Sequence, residues 1–174
     1  MNDKEEDLWM MPNEALEWIE HNIPHGSCIL EFGSGKGSSR LSKNFLLYSV
    51  EHDPEWVSKY DTNYIYAPIK LHSDSSKYNS IGWYDADIVY SEMPNNQISL
   101  IIIDGPPKSI GRDGILEHLG ILNFADIILI DDLHRTDEYN LSQEISKKCG
   151  LKCIHFSKCN NNGNERHFGV FGRL

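Results

Sequence analysis

The sequence predicts an α/β protein built on a doubly wound sheet of seven strands, mostly parallel, with the last strand antiparallel in a C-terminal hairpin. Three observations carry this. Residues 27–32, 98–104 and 125–131 are strand-length runs, almost wholly apolar, that carry an acidic residue at or next to their last position; such runs suit strands buried on both faces of a parallel sheet. Segments with helical spacing separate them. Residues 151–156 and 166–171 read as strands joined by a turn-rich loop with no helix between them, so they pair as a hairpin.

In chain order, residues 13–22 place Leu16 and Ile19 at helical spacing, with Ile23 beyond, and Pro24 and Gly26 close the helix. Residues 27–32 form the first strand, 38–44 a helix and 45–51 a second strand. Pro54 at the first helical position starts a short helix over 55–59. Residues 64–71 read as one strand, and 85–92 as a helix within an otherwise ambiguous stretch. The apolar strand 98–104 leads through Gly105-Pro106-Pro107 to a helix over 113–122. Strand 125–131, a helix over 138–149 and the two hairpin strands complete a Rossmann-like order. Residues 1–12 are an N-terminal arm and 13–174 one domain, as the length of 174 residues suggests. The first seven residues read as mobile, and the apolar stretch Leu8-Trp9-Met10-Met11-Pro12 either folds over a ligand or packs on the core.

Asp and Glu number 26 against 16 Lys and Arg, a formal charge of −10. This excess opposes non-specific binding to nucleic acid, which depends on neutralising phosphates, so no nucleic-acid partner is expected. No run approaches the roughly 20 apolar residues of a membrane helix, so no membrane partner is expected either. The acidic N-terminus is the wrong start for a targeting peptide, and four cysteines are too few for a disulfide scaffold. A cytoplasmic location follows as the expectation.

In open α/β sheets ligands sit beyond the carboxyl ends of the strands, where this chain places Glu31, Glu51, Asp104 and Asp131. Glu31-Phe32-Gly33-Ser34-Gly35-Lys36-Gly37 lies between the first strand and its helix. Glycines there let a ligand approach the backbone. A dinucleotide fingerprint would need its third glycine at Ser38, and a P-loop would need glycine at Leu30 and a hydroxyl at Gly37, so both fail by position. A tight turn with no ligand is the plain alternative.

The stretch 29–39 resembles the first motif of the class I S-adenosylmethionine-dependent methyltransferases, and Tyr48-Ser49-Val50-Glu51-His52-Asp53 resembles their second. The resemblance runs from about Asn13 onward, and the family's seven-stranded sheet with an antiparallel seventh strand agrees with the predicted order. It implies S-adenosylmethionine as cofactor. Gly33, Gly35 and Gly37 would pass beneath its methionine part, Glu31 would lie near its amino group, and Glu51 would accept hydrogen bonds from both ribose hydroxyls. His52 and Asp53 stand beside Glu51, and Asp85, preceded by Trp83-Tyr84, is a candidate for the adenine side.

Asp104 ends one apolar strand and Asp131-Asp132 the next. If these strands are neighbours, three carboxylates converge, and hard oxygen ligands of this kind suit Mg2+. The pattern resembles metal-dependent O-methyltransferases, which implies Asp104, Asp131 and Asp132 as metal ligands and an acceptor hydroxyl activated on the metal. Sugar-type members carry a further acid where this chain has Pro106, which leaves Lys108 and His134, with Asp104, as candidate catalytic residues. The alternatives are that Asp104 orients substrate without metal and that Asp132 caps a helix or pairs with Arg135 or Arg112. The reading is methyl transfer to an oxygen of a small-molecule acceptor. Its rivals are a non-catalytic binder of the cofactor or its product, an N-methyltransferase and, last, an ATPase suggested by the Walker B-like strand 127–132. Cys149, Cys153, His155 and Cys159 are zinc-ligand types at a spacing that matches no standard knuckle.

Overall fold

A computed structural model of the protein describes residues 10–74, 76–95, 97–161 and 163–173. The expectations for residues 1–9, including the mobile start and Leu8 and Trp9, lie outside the described residues. Met10 and Met11 pack against the core beside Leu16.

The main sheet has seven strands: β1 (Cys28–Phe32), β2 (Leu46–Glu51), β3 (Asn63–Tyr66), β6 (Ile98–Ile103), β7 (Ile127–Ile130), β8 (Lys152–Asn161) and β9 (Asn164–Gly172). Their order is β3-β2-β1-β6-β7-β9-β8. The first five run parallel, while β9 is antiparallel to both β7 and β8. β4 (Ile69–Leu71) and β5 (Gly82–Tyr84) form a separate antiparallel pair.

Alternation along the buried strands feeds two cores. Leu30, Phe32, Ile101, Ile103, Ile128 and Ile130 pack on one face. Ile29, Leu47, Leu100, Ile102 and Leu129 pack on the other, with α1 (Asn13–Asn22). The apolar stripe of α1 is the expected one: Ala15, Leu16 and Ile19 are buried. Two further helices are α2 (Lys36–Leu41) and α3 (Ala86–Glu92), and α4 (Thr136–Cys149) buries Leu141 and Ile145 in the first of these cores and ends at Gly150.

Three elements differ from expectation. Residues 64–71 split into β3 and β4, because Pro68 has no N–H to continue the ladder. The segment after Pro54 forms turns, with Ser58 at φ 68°; five residues are too few to hold a helix without packing. Residues 113–122 form two 3-10 turns, Asp113–Glu117 and Leu119–Phe124, where Gly114 and Gly120 disfavour an α-helix. Among the described residues, no helix is long and apolar enough to cross a membrane.

Candidate functional site

The carboxyl ends of β1, β2, β6 and β7 border a cavity of about 430 Å³, within the size range of ligand sites. Gly33 takes φ 87°, and a Cβ there would stand 3.1 Å from the Cα and N of Gly105. A Cβ on Gly105 would come within 2.9 Å of Gly33 Cα and 2.4 Å of the Tyr84 hydroxyl. The two loops therefore touch backbone to backbone, which only glycine at both positions allows.

Glu51, the last residue of β2, lines the cavity. Its Oε2 accepts hydrogen bonds from Ser34 N and Oγ at 3.2 and 3.0 Å. Its Oε1 accepts from the backbone N–H groups of His52 and Asp53 at 2.8 and 3.1 Å. Burial raises the carboxyl, but the hydrogen bonds from His52, Asp53 and Ser34 outweigh it, and Glu51 stays below its usual value. Glu31 is buried and does not line the cavity; Ser49 Oγ donates to it, and Ser49 contacts Thr62 Oγ1 at 2.8 Å. Burial pushes Glu31 up to about 7. Gly35 caps α2, and Gly37 sits inside it against Leu16. The cavity thus collects Gly33 and Glu51 from the predicted set, with His52 and Asp53, but not Glu31, Gly35 or Gly37.

Asp85 is not in this cavity. Its side chain caps α3 by accepting from Asp87 N at 3.1 Å and pairs with Lys70 at 2.8 Å. Its neighbour Tyr84 takes the wall position, fully buried, with a hydroxyl that has no hydrogen-bond partner among the described residues. Trp56 completes this side, with Lys59 Nζ 4.0 Å from its ring centroid.

On the other side, Asp104, Asp131 and Asp132 converge, with oxygens within 4.8 Å of one another. Each is already held by arginine. Arg112 Nη2 lies 3.1 Å from Asp104 Oδ1 and 2.9 Å from Asp132 Oδ2. Arg166 Nη2 lies 2.7 Å from Asp131 Oδ2 and 2.9 Å from Asp132 Oδ1. Arg135 Nη1 reaches Asp132 Oδ2 at 2.8 Å. Both pairings weighed for Asp132, with Arg112 and Arg135, are present. The donor set does not fit a divalent cation: guanidinium nitrogens stand against four of the six carboxylate oxygens, at least one on every acid, and their positive charge opposes a cation even though Asp131 Oδ1 has no hydrogen-bond partner among the described residues. Burial and the Asp131 charge hold Asp104 well above its usual value against the pull of Arg112, and burial with the Asp132 charge pushes Asp131 up to about 6.

Lys108 lines the cavity and is exposed. His134 does not line it; Nδ1 lies 3.9 Å from Asp132 Oδ1, and burial lowers the imidazole. Arg166, Tyr84 and Trp56 carried no sequence signal that singled them out for the site. The zinc-ligand types do not converge: Cys153 is exposed and Cys159 buried, and the acid trio is the sole metal-type cluster among the described residues.

No model of a protein family matches the sequence, and neither does any curated protein. Solved structures do. A candidate RNA methyltransferase of Pyrococcus horikoshii is 15% identical, with TM-score 0.58 over 92% of this chain and 80% of that one. A candidate tRNA (m1A22) methyltransferase of Streptococcus pneumoniae, in complex with S-adenosyl-L-methionine, is 15% identical, with TM-score 0.54 over 94% of this chain and 73% of that one. Magnesium protoporphyrin IX methyltransferase of Synechocystis, with the same molecule bound, is 9% identical, with TM-score 0.56 over 98% and 80%. The chain has the class I S-adenosylmethionine-dependent methyltransferase fold. The expectation that nucleic acid is no partner is corrected by the same structures, since two of the three are described as acting on RNA. The acidic net charge behind that expectation describes the whole chain, not the cavity mouth.

Proposed function

We propose that the protein binds S-adenosylmethionine in this cavity and transfers its methyl group to an oxygen or nitrogen that carries a hydrogen. The observation that supports this most is the pairing of Gly33, pressed on Gly105, with the hydrogen-bonded carboxylate of Glu51 in one cavity of about 430 Å³. A cradle with no room for a Cβ and an ionised acceptor suit the methionine backbone and the ribose hydroxyls respectively. When bound, the cofactor supplies an electrophilic sulfonium methyl. Glu51 holds the sugar, the Gly33 turn leaves the backbone open to the methionine part, and Tyr84 and Trp56 exclude water from the adenine side.

Asp104 faces the cavity where the acceptor would stand. Its raised carboxyl makes it a stronger base than an ordinary aspartate once ionised, so it orients the acceptor and takes the proton that the nucleophile loses. No metal enters this reading, because Arg112, Arg135 and Arg166 supply the positive charge the acid trio requires. Titration of the purified protein with Mg2+ or Mn2+ is expected to give no binding at the trio, and chelator is expected to leave cofactor affinity unchanged. Manganese binding abolished by Asp131→Asn would refute the metal-free assignment.

Calorimetric titration with S-adenosylhomocysteine, with ATP and NAD as controls, tests the central reading. Micromolar binding of the homocysteine product alone is the expected result. Its absence, or tighter binding of either control, would overturn it.

A further inference from the structure

The cavity is electrically divided. Glu51 and Asp53 line one end, while four cations, Lys108, Arg112, Arg135 and Arg166, line the other together with two acids, Asp104 and Asp132. At the basic end the side chains of Asp132 and Arg112 lie deepest, 3% and 4% exposed, followed by Arg166 at 13%, Asp104 at 22% and Arg135 at 29%. Asp131 and Glu138 do not line the cavity at all. The charged side chains most open to a group entering this end are those of Lys108 and Arg135.

These cations are not spent equally. Arg112 donates to Pro106 O, Asp131 O, Asp104 O, Asp104 Oδ1 and Asp132 Oδ2, so all three of its nitrogens are engaged. Arg135 has only Nη1 engaged, by Asp132 and Glu138. Arg166 Nε has no hydrogen-bond partner, and Lys108 forms no ion pair, among the described residues. Arginine presents its donors in a fork that matches the paired oxygens of carboxylate and phosphate.

We infer that the methyl acceptor carries an oxyanion, a carboxylate or a phosphate monoester, held by Lys108 and Arg135 at the basic end of the cavity. The division sorts the two ligands: the cationic cofactor takes the acidic end and the anionic acceptor the basic one, with Asp104 between them. The inference rests on the proposed methyl transfer for its assignment of roles, but the anion site itself does not.

The full-length protein saturated with S-adenosylhomocysteine is titrated with phenyl phosphate, benzoate and uncharged benzyl alcohol, followed by ligand-observed NMR. At least one anion is expected to bind about tenfold or more tightly than benzyl alcohol, as for hydrogen bonds to charged groups. Which anion binds distinguishes phosphate from carboxylate. Lys108→Gln is expected to weaken that anion about tenfold and leave the affinity for the homocysteine product unchanged. Arg135→Gln serves as a second variant, and exposed Lys108 carries the test if Arg135→Gln fails to fold. Equal binding of benzyl alcohol, binding of neither anion, or undiminished anion binding in Lys108→Gln would overturn the inference. Failure of the homocysteine product to bind would instead count against the proposed function, and anion titration of the unloaded protein would still decide this site.

Discussion

Arg112 makes five hydrogen bonds from a side chain that is 4% exposed, and it ties the loops after β6 and β7 together. Its removal would leave Asp104 and Asp132 facing each other with less compensation. Arg112→Met is expected to cost about 3–5 kcal/mol, the usual effect of breaking a buried ion pair from one side, measured by denaturant unfolding. Adding Asp132→Asn should recover part of that loss, because it removes one of the stranded charges. Asp104→Asn is a milder change, close in shape. It is expected to lower turnover about 100-fold or more, the scale of a lost general base, and to leave the dissociation constant for S-adenosylhomocysteine within a few-fold. Turnover that survives the substitution would assign Asp104 to structure alone.

At the scale of elements, the site depends on loops meeting correctly more than on any one helix. The β1–α2 turn and the β6 loop touch through Gly33 and Gly105. Gly105→Ala would push a methyl group into Gly33 and the Tyr84 hydroxyl, so it is expected to cost about 1–3 kcal/mol, as overpacking does, and to weaken product binding measurably in calorimetry. Much of this layout was legible in the sequence. The glycine turn, the acid ending β2 and the acids ending β6 and β7 are local signals, each readable within a few residues. The Asp85 reading failed because a short acid before a helix is also a good N-cap, and that local role took it. Arg166 was illegible for the opposite reason: it reaches Asp131 across 35 positions, through pairing of β9 with β7 that no local pattern encodes. Residues 64–71 divide at Pro68, whose missing N–H decides the structure although strand-forming residues flank it on both sides.

Across the whole molecule, buried acids set the pH response. Glu31 titrates near 7 when folded and near 4.5 when free, so the folded state binds the extra proton between those values. Stability from this group is fully present below about pH 4.5 and is lost as pH rises through about 7; Asp131, raised to about 6, acts in the same direction. Thermal unfolding is expected at a lower temperature at pH 8 than at pH 5.5. Glu31→Gln, which mimics the protonated form, should flatten that dependence by an amount on the order of 2–3 kcal/mol, and an unchanged slope would show that Glu31 is ionised throughout. The placement of β9 has a practical reach of its own. Glu31, Glu51, Asp104 and Asp132 all precede residue 150, so a gene shortened there would keep the residues by which a reader recognises the site. It would nevertheless lose Arg166 and the strand wedged between β7 and β8. Shortened versions of this chain should therefore be judged by whether they keep the hairpin, and a split at Gly150 offers a direct way to ask whether the hairpin, supplied separately, restores the site.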